Sequence, residues 1–346
     1  MSDEGVCEAL RHYVQRQTGA SQVSVRAFST LSGGAIQNNY ALALECAGGE
    51  SPGLLDLVVR SDAASQVDAS LSREQEFCVL QCAWQAGVTV PEPLWLCTDL
   101  SVIGVPFCVM RRVEGTASGR QLVRGMLSDE QARVLTRQLA HELARLHTVR
   151  PPNERLTFLP VPVTAPALQR VSDYRTALDR IAEPHPVIEW ALNWLEDNAP
   201  APGELVLCHG DFRTGNYMVD NGRLSGVLDW EFASWSDPME DIGWLCAKSW
   251  RFGRTDREVG GVGHKDDLFP AYTHASGREV SARQVLYWEA MGLTRWAVIA
   301  LQQAQRHISG EESSLELALT GRMVPEMEYD LLRHIGAIED SDNVQS

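Results

Sequence analysis

Apolar and polar positions recur along the chain with periods that mark its elements. Residues 5–17 place Val6, Leu10, Tyr13 and Val14 on one helical face. Val23 to Phe28 alternates as a strand, Tyr40 to Leu44 forms a second, and Leu54 to Arg60 a third. From Ser70 to about Ala86 the residues Phe77, Leu80 and Trp84 share a stripe, which predicts a helix. Val102 to Met110 predicts a hairpin leading into Arg111-Arg112-Val113-Glu114-Gly115. Beyond it the expected elements are mainly helical. Ser128-Asp129-Glu130-Gln131 is a capping box ahead of Leu135, Leu139, Leu143 and Leu146. Further helices are expected at Leu168 to Ile181, Val187 to Leu195, from about Ile242, Gln284 to Ile308 and Leu315 to Leu332. Residues 150–166 are Pro-rich and irregular. Residues 250–278, with Gly260-Gly261-Val262-Gly263, also look irregular, either a substrate-side loop or a surface insertion.

Chemistry concentrates between residues 205 and 231. Leu205 to Cys208 is an apolar run short enough for a buried strand, and His209-Gly210-Asp211 follows, then Asn216. Asn221-Gly222 separates Tyr217 to Val219 from Leu224 to Leu228, a strong signal for a hairpin with a primed turn. That turn pairs Asp220 with Arg223 and sets Asn216 opposite Val227. Asn216 and Asp229 are then expected at the open end of one hairpin, with Asp211 arriving from the preceding loop. Phosphoryl transfer needs oxygen ligands for Mg²⁺, which Asn216 and Asp229 supply. It also needs a carboxylate that takes a proton from the attacking hydroxyl, and Asp211 is the candidate. The five-residue step from Asp211 to Asn216 is that of a kinase catalytic loop, and Asp229 stands where kinases carry their later metal-binding Asp.

These residues resemble the aminoglycoside phosphotransferase and choline kinase-like superfamily. Its signature is similar to His-Gly-Asp-x-x-x-x-Asn, then Asp-Trp-Glu, then Asp-Pro-x-x-Asp, here at 209–216, 229–231 and 237–241. The resemblance implies an α+β, bilobal protein-kinase-like fold. An N-terminal antiparallel sheet lobe with one helix would take residues 1–112, a larger mainly helical C-terminal lobe 113–340, and a disordered tail 341–346. It implies ATP and Mg²⁺ as cofactors, with Asp211 as catalytic base and Asn216 and Asp229 on the metal. Gly33 and Gly34 would let the backbone approach phosphates, with Asn38 a few residues on. Arg60 stands where protein kinases carry a phosphate-binding Lys. Glu76 is its expected partner because 76, 80 and 83 share a helical face, with Glu74 as the rival. Met110 and Arg112 fall where a hinge presents backbone groups to adenine, and Asp241 is expected to be structural support.

Only eleven residues separate Asp229 from Asp241. That is too short for the activation segment with which a protein kinase holds a peptide, so a small hydroxylated acceptor is expected. Trp250-Arg251-Phe252-Gly253, Trp288, Trp296, Val102 to Phe107 and the Arg60 strand resemble the branch fused to acyl-CoA dehydrogenases. This implies a hydroxyacyl-CoA-type acceptor, with Arg251, Arg295 and Arg306 as candidates to face an anionic group. An aminoglycoside phosphotransferase and a nucleotide-binding pseudokinase without turnover are the alternatives. The balance of 30 basic to 46 acidic residues, −16 net, argues against nucleic acid. His141-Glu142 lacks the second His of a zinc helix, and the glycines of 260–263 make neither a P-loop nor a dinucleotide fingerprint. Eight scattered cysteines without a CxxC pair, a polar Met1 to Gln17 and no apolar run near ~20 residues point to a cytoplasmic protein without membrane association. A homodimer is compatible with all of this.

Overall fold

In the computed structural model of the chain the described residues are 2–31, 37–62 and 70–345. The chain divides into two compact units. The first comprises Met1–Thr116, Pro152–Phe158 and Asn216–Ala233; the second comprises Ala117–Pro151, Leu159–Gly215 and Ser234–Ser346. The expected boundary near residue 112 thus lies just inside the first unit, which also gathers two later segments that a linear division leaves out.

The first unit is built on a five-stranded antiparallel sheet. Its strands β1 (Gln22–Leu31), β2 (Gln37–Ala47), β3 (Gly53–Asp62), β4 (Pro93–Cys97) and β5 (Phe107–Arg111) run in the order β1-β2-β3-β5-β4. Strand periodicity sends Leu42, Leu44, Leu55, Leu57, Val59, Phe107 and Val109 to one face. Helix α1 (Asp3–Thr18) covers them with Val6, Leu10, Tyr13 and Val14. Each fully buried side chain of this kind contributes roughly 1.5–3 kcal/mol. Helix α2 (Arg73–Gln85) begins at a reciprocal capping box between Ser72 and Gln75. The expected hairpin from 102 to 110 is instead a helical turn, Leu100–Ile103, followed by β5 alone. Asp99 caps that turn and Gly104 ends it at φ 89°, so the Asp and Gly flanking the apolar residues select a turn over a strand.

The hairpin Tyr217–Asp220 and Arg223–Val227 belongs to the first unit. Asn221 (φ 48°) and Gly222 (φ 76°) make its turn, and Asp220 pairs with Arg223. The register then shifts: Val219 faces Leu224, but Met218 faces Gly226 and Tyr217 faces Val227. The extra residue, Ser225, donates its hydroxyl to Glu114 O at 2.6 Å. Asn216 therefore lies opposite Leu228, not Val227, and its carbonyl accepts the Leu228 N–H at 2.8 Å.

The second unit is mainly helical. Its long helices are Asp129–Leu146, Pro166–Leu178, Pro186–Asp197, Pro238–Cys246, Lys265–Ser276, Ala282–Ile308, Leu315–Arg322 and Val324–Gln345. A two-stranded ribbon, Val206–Cys208 against Ser234–Ser236, leads into and out of the chemically rich stretch. Three expectations change here. Lys265–Ser276 is a helix inside the segment expected to be irregular; Pro270 disguises it, although a proline at its sixth residue removes a single intrahelical bond. The single helix expected from Leu315 to Leu332 is two, divided at Met323, whose N–H closes a tight turn on Thr320 O. The second of them continues through Gln345, across the tail expected to be disordered. Among the described residues, no helix is long and apolar enough to cross a membrane.

Candidate active site

In the second unit a short strand delivers the loop 209–215, and one helix grips it. The N–H groups of His209 and Gly210 donate to the two oxygens of Asp241 at 2.7 and 2.9 Å. Asp241 is fully buried, which raises a carboxyl pKa. The hydrogen bond and charge of His147, with His209 and the backbone donors, outweigh that and hold it below the usual value. Burial lowers the pKa of His147, which sits at the end of Asp129–Leu146 with Nδ1 2.8 Å from the Tyr272 hydroxyl. Cys208 places its sulfur within 4.8 Å of ligand atoms of both His147 and Asp241, close enough for the three to share a metal ion. Its thiol, however, is driven well above the ordinary value by burial and donates to Asp237 O at 3.3 Å. The trio is a buried brace for the loop.

Asp211 is 7% exposed. Its Oδ1 accepts the indole N–H of Trp244 at 2.7 Å and the Nε–H of Arg213 at 3.1 Å. Arg213 lies over the Trp250 ring at 4.4 Å, and Arg295 over the Trp244 ring at 4.4 Å while donating to Gly210 O. Thr214 donates to Gly260 O at 2.8 Å. Residues 259–263 are buried, so this part of the segment is not a surface insertion but an internal strut of the loop 209–215.

In the first unit, Arg60 near the end of β3 faces two acids. Its Nη1 lies 3.1 Å from Glu76 Oε1, and its Nη2 donates to Asp229 Oδ1. Arg73 holds the other oxygen of Glu76, which is buried, whereas Glu74 is exposed. Burial works against the charge of Arg60, but the Glu76 and Asp229 carboxylates overcome it and hold its pKa above the usual arginine value. Asp229 adopts a left-handed φ of 69°, a strained conformation for a residue with a Cβ. Two positions on, burial and then the Asp229 charge push the Glu231 carboxyl up to about 7. The Leu71 N–H donates to Glu231 O at 2.8 Å, tying the entry of α2 to the segment after Asp229. Asn216 is 6% exposed at the start of the hairpin.

The other expected positions are less tightly assembled. Gly33 and Gly34 lie outside the described residues, and Asn38 is described only as a backbone position in β2 paired with Ser61. Met110 is buried in β5 opposite Val58. The Arg112 N–H is engaged by Asp56 O at 2.9 Å, so an adenine contact there would use its carbonyl. Two of the three arginines expected to face an anion are committed elsewhere. Arg251 donates to Cys246 O and pairs with Glu289, and Arg306 pairs with Glu311 and Glu312. Sequence reasoning did not single out Arg213 and Trp244. Arg213 follows Asp211 by two residues and carried a local signal; Trp244, 33 positions on, carried none.

Residues 27–279 match the sequence model of the phosphotransferase enzyme family. Acyl-CoA dehydrogenase family member 11 of Mus musculus is 26% identical over 263 residues, covering 72% of this chain and 34% of that protein. The chain spans about a third of the length of such relatives. A solved structure from Ralstonia eutropha, assigned as an aminoglycoside phosphotransferase, superposes with a TM-score of 0.75 at 21% identity over 94% of this chain and 97% of that one. The GDP complex of wild-type aminoglycoside 2'-phosphotransferase-IIIa superposes with a TM-score of 0.60 at 16% identity, over 93% and 99%. At such identities these two likenesses show the fold.

Proposed function

The chain belongs to the phosphotransferase enzyme family, and from that premise we propose that it moves the γ-phosphate of ATP to a hydroxyl of a small molecule, a hydroxyacyl-CoA-type metabolite. The observation that carries the reading is the arginine of β3 held between Glu76 and Asp229, beside a hairpin that begins at Asn216. An arginine pre-set by two carboxylates presents a planar fork suited to phosphate oxygens. Asp229 and Asn216 would hold Mg²⁺: a carboxylate and an amide oxygen are the hard donors this cation takes, and sulfur and imidazole are missing from the pair. When bound, Mg²⁺ neutralises phosphate charge. Gly33, Gly34 and Asn38 are proposed for the phosphates, and the backbone of Met110 and Arg112 for the base.

Asp211 is the proposed catalytic base. It takes the proton of the acceptor hydroxyl as that oxygen bonds to the γ-phosphorus and the bond to the β–γ bridging oxygen breaks, releasing ADP. Its loop is held by Asp241, Trp244 and Gly260, which keeps the carboxylate oriented before any substrate arrives. The acceptor class rests on the relatives named for acyl-CoA dehydrogenases, which match 72–92% of the chain. Of the three arginines expected to face an anionic acceptor, Arg295 is the one that donates to a carbonyl of this loop.

The test is ATP consumption with Mg²⁺ on a panel of hydroxyacyl-CoA compounds, kanamycin-type aminoglycosides and choline, run with the wild type and Asp211→Asn. The expected result is turnover of a hydroxyacyl-CoA that falls about 10²-fold or more in the variant, with ATP binding close to wild type. Turnover of an aminoglycoside with none on any hydroxyacyl-CoA overturns the acceptor. Wild-type turnover in Asp211→Asn overturns the base.

A further inference from the structure

We propose that Trp244 is a positioning residue for Asp211, fixing the angle of its carboxylate through the indole N–H; this rests on the reading of Asp211 as the base. Helix Pro238–Cys246 grips the catalytic loop twice. Asp241 takes the His209 and Gly210 N–H groups, and Trp244, three residues later on the same helical face, donates to Asp211 Oδ1 at 2.7 Å. The Nε–H of Arg213 ends on the same oxygen at 3.1 Å. A carboxylate turns about its last torsion in a broad well. Two donors on Oδ1, one from a buried indole and one from a guanidinium, confine that torsion, so the carboxylate meets an acceptor hydroxyl in one orientation.

The indole is itself immobilised. It is 3% exposed. Trp250 packs edge-on at 5.0 Å, Arg295 lies on its face, and a Cβ at Gly292 would come within 3.1 Å of its ring. Packing alone does not aim an indole N–H at a carboxylate. Trp250 and Trp288 bury theirs in the same unit without an acceptor among the described residues. Of these three, the tryptophan whose N–H is directed at a group of the loop is the one that reaches Asp211.

The experiment measures ADP formation from ATP and Mg²⁺, with a hydroxyacyl-CoA as probe and with water alone as acceptor. It compares wild type, Trp244→Phe, and a chain carrying benzothienylalanine at position 244, in which sulfur replaces the N–H at nearly unchanged volume. Each substitution is repeated in an Asp211→Ala background, and Tm and ATP affinity are recorded for all. Loss of one hydrogen bond to a charged group predicts a kcat about 10-fold lower or more, with KM and ATP affinity within about 2-fold. The benzothienylalanine chain should show that loss at wild-type Tm, and neither substitution should cost anything further beside Asp211→Ala. Wild-type kcat in the benzothienylalanine chain overturns the inference, as does an equal loss in both backgrounds. Wild-type kcat in Asp211→Ala alone overturns the base reading first and the inference with it.

Discussion

Asp237 shows how one residue's burial becomes a pH dependence. It caps helix Pro238–Cys246, accepting the Met239 N–H at 2.8 Å. Burial pushes its carboxyl up to about 6; the Met239 bond pulls it back and the Glu240 charge adds to the rise. The folded chain therefore keeps a proton that the unfolded chain has released above about 3.8. The contribution of this group to stability is fully present below about 3.8 and is lost as pH rises through about 6. Asparagine caps equally well without the charge. Thermal melts of Asp237→Asn and wild type should coincide near pH 4 and diverge through pH 6, the variant melting higher above it. A gap that closes as pH rises would contradict the assigned direction. Arg60 and Glu76 make a different residue-scale point. A strand-end cation and a helical acid on the face shared by 76, 80 and 83 were legible in the sequence, because both periods are local. Arg73, which holds the other oxygen of Glu76, was not.

At the scale of elements, the loop 209–215 is held from several directions, and one strut is Gly260. It occupies φ 56°, and a Cβ there would strike the Thr214 hydroxyl that donates to its own carbonyl. A left-handed alanine costs roughly 1–2 kcal/mol, and displacing packed neighbours adds about 1–3. Gly260→Ala should lower both Tm and turnover, although it lies 49 positions from Asp211 in the chain. Gly253→Ala, at φ 86° with open space around its Cβ, bears only the backbone term and should leave turnover unchanged. Equal turnover in the two variants would remove the strut from the account. The hairpin was legible because Asn221-Gly222 selects a primed turn. Its bulge was not, since Ser225 shifts the register through a bond to Glu114, far away in sequence. Glycines at 260–263 look like a surface loop because composition carries no information on burial. Trp244 was illegible for a related reason: a contact across 33 residues leaves no period to read.

At the scale of the molecule, family membership sets the reaction class. The groups proposed for nucleotide and metal, Arg60, Glu76, Asn216 and Asp229, all belong to the first unit, and Asp211 with its supports to the second. A ligand that binds only the folded state stabilises it by RT ln(1 + [L]/Kd), about 2.7 kcal/mol at a hundredfold excess over Kd. The net charge of −16 opposes an anionic nucleotide at long range, a penalty that salt screens and that Mg²⁺ reduces by lowering the charge of ATP. ATP with EDTA should therefore raise Tm little, and ATP with Mg²⁺ by an additional increment on the order of a few °C. Asp229→Ala should abolish that increment and Asn216→Ala should reduce it, while Asp211→Asn keeps it. Comparing melts with EDTA and with Mg²⁺ within each variant cancels any loss of intrinsic stability, including the partner that Arg60 loses in Asp229→Ala. If Asp229→Ala and Asn216→Ala both retain the full increment, the metal is not held by the hairpin. If Asp211→Asn alone loses it, Asp211 belongs to the nucleotide site and not to the proton transfer.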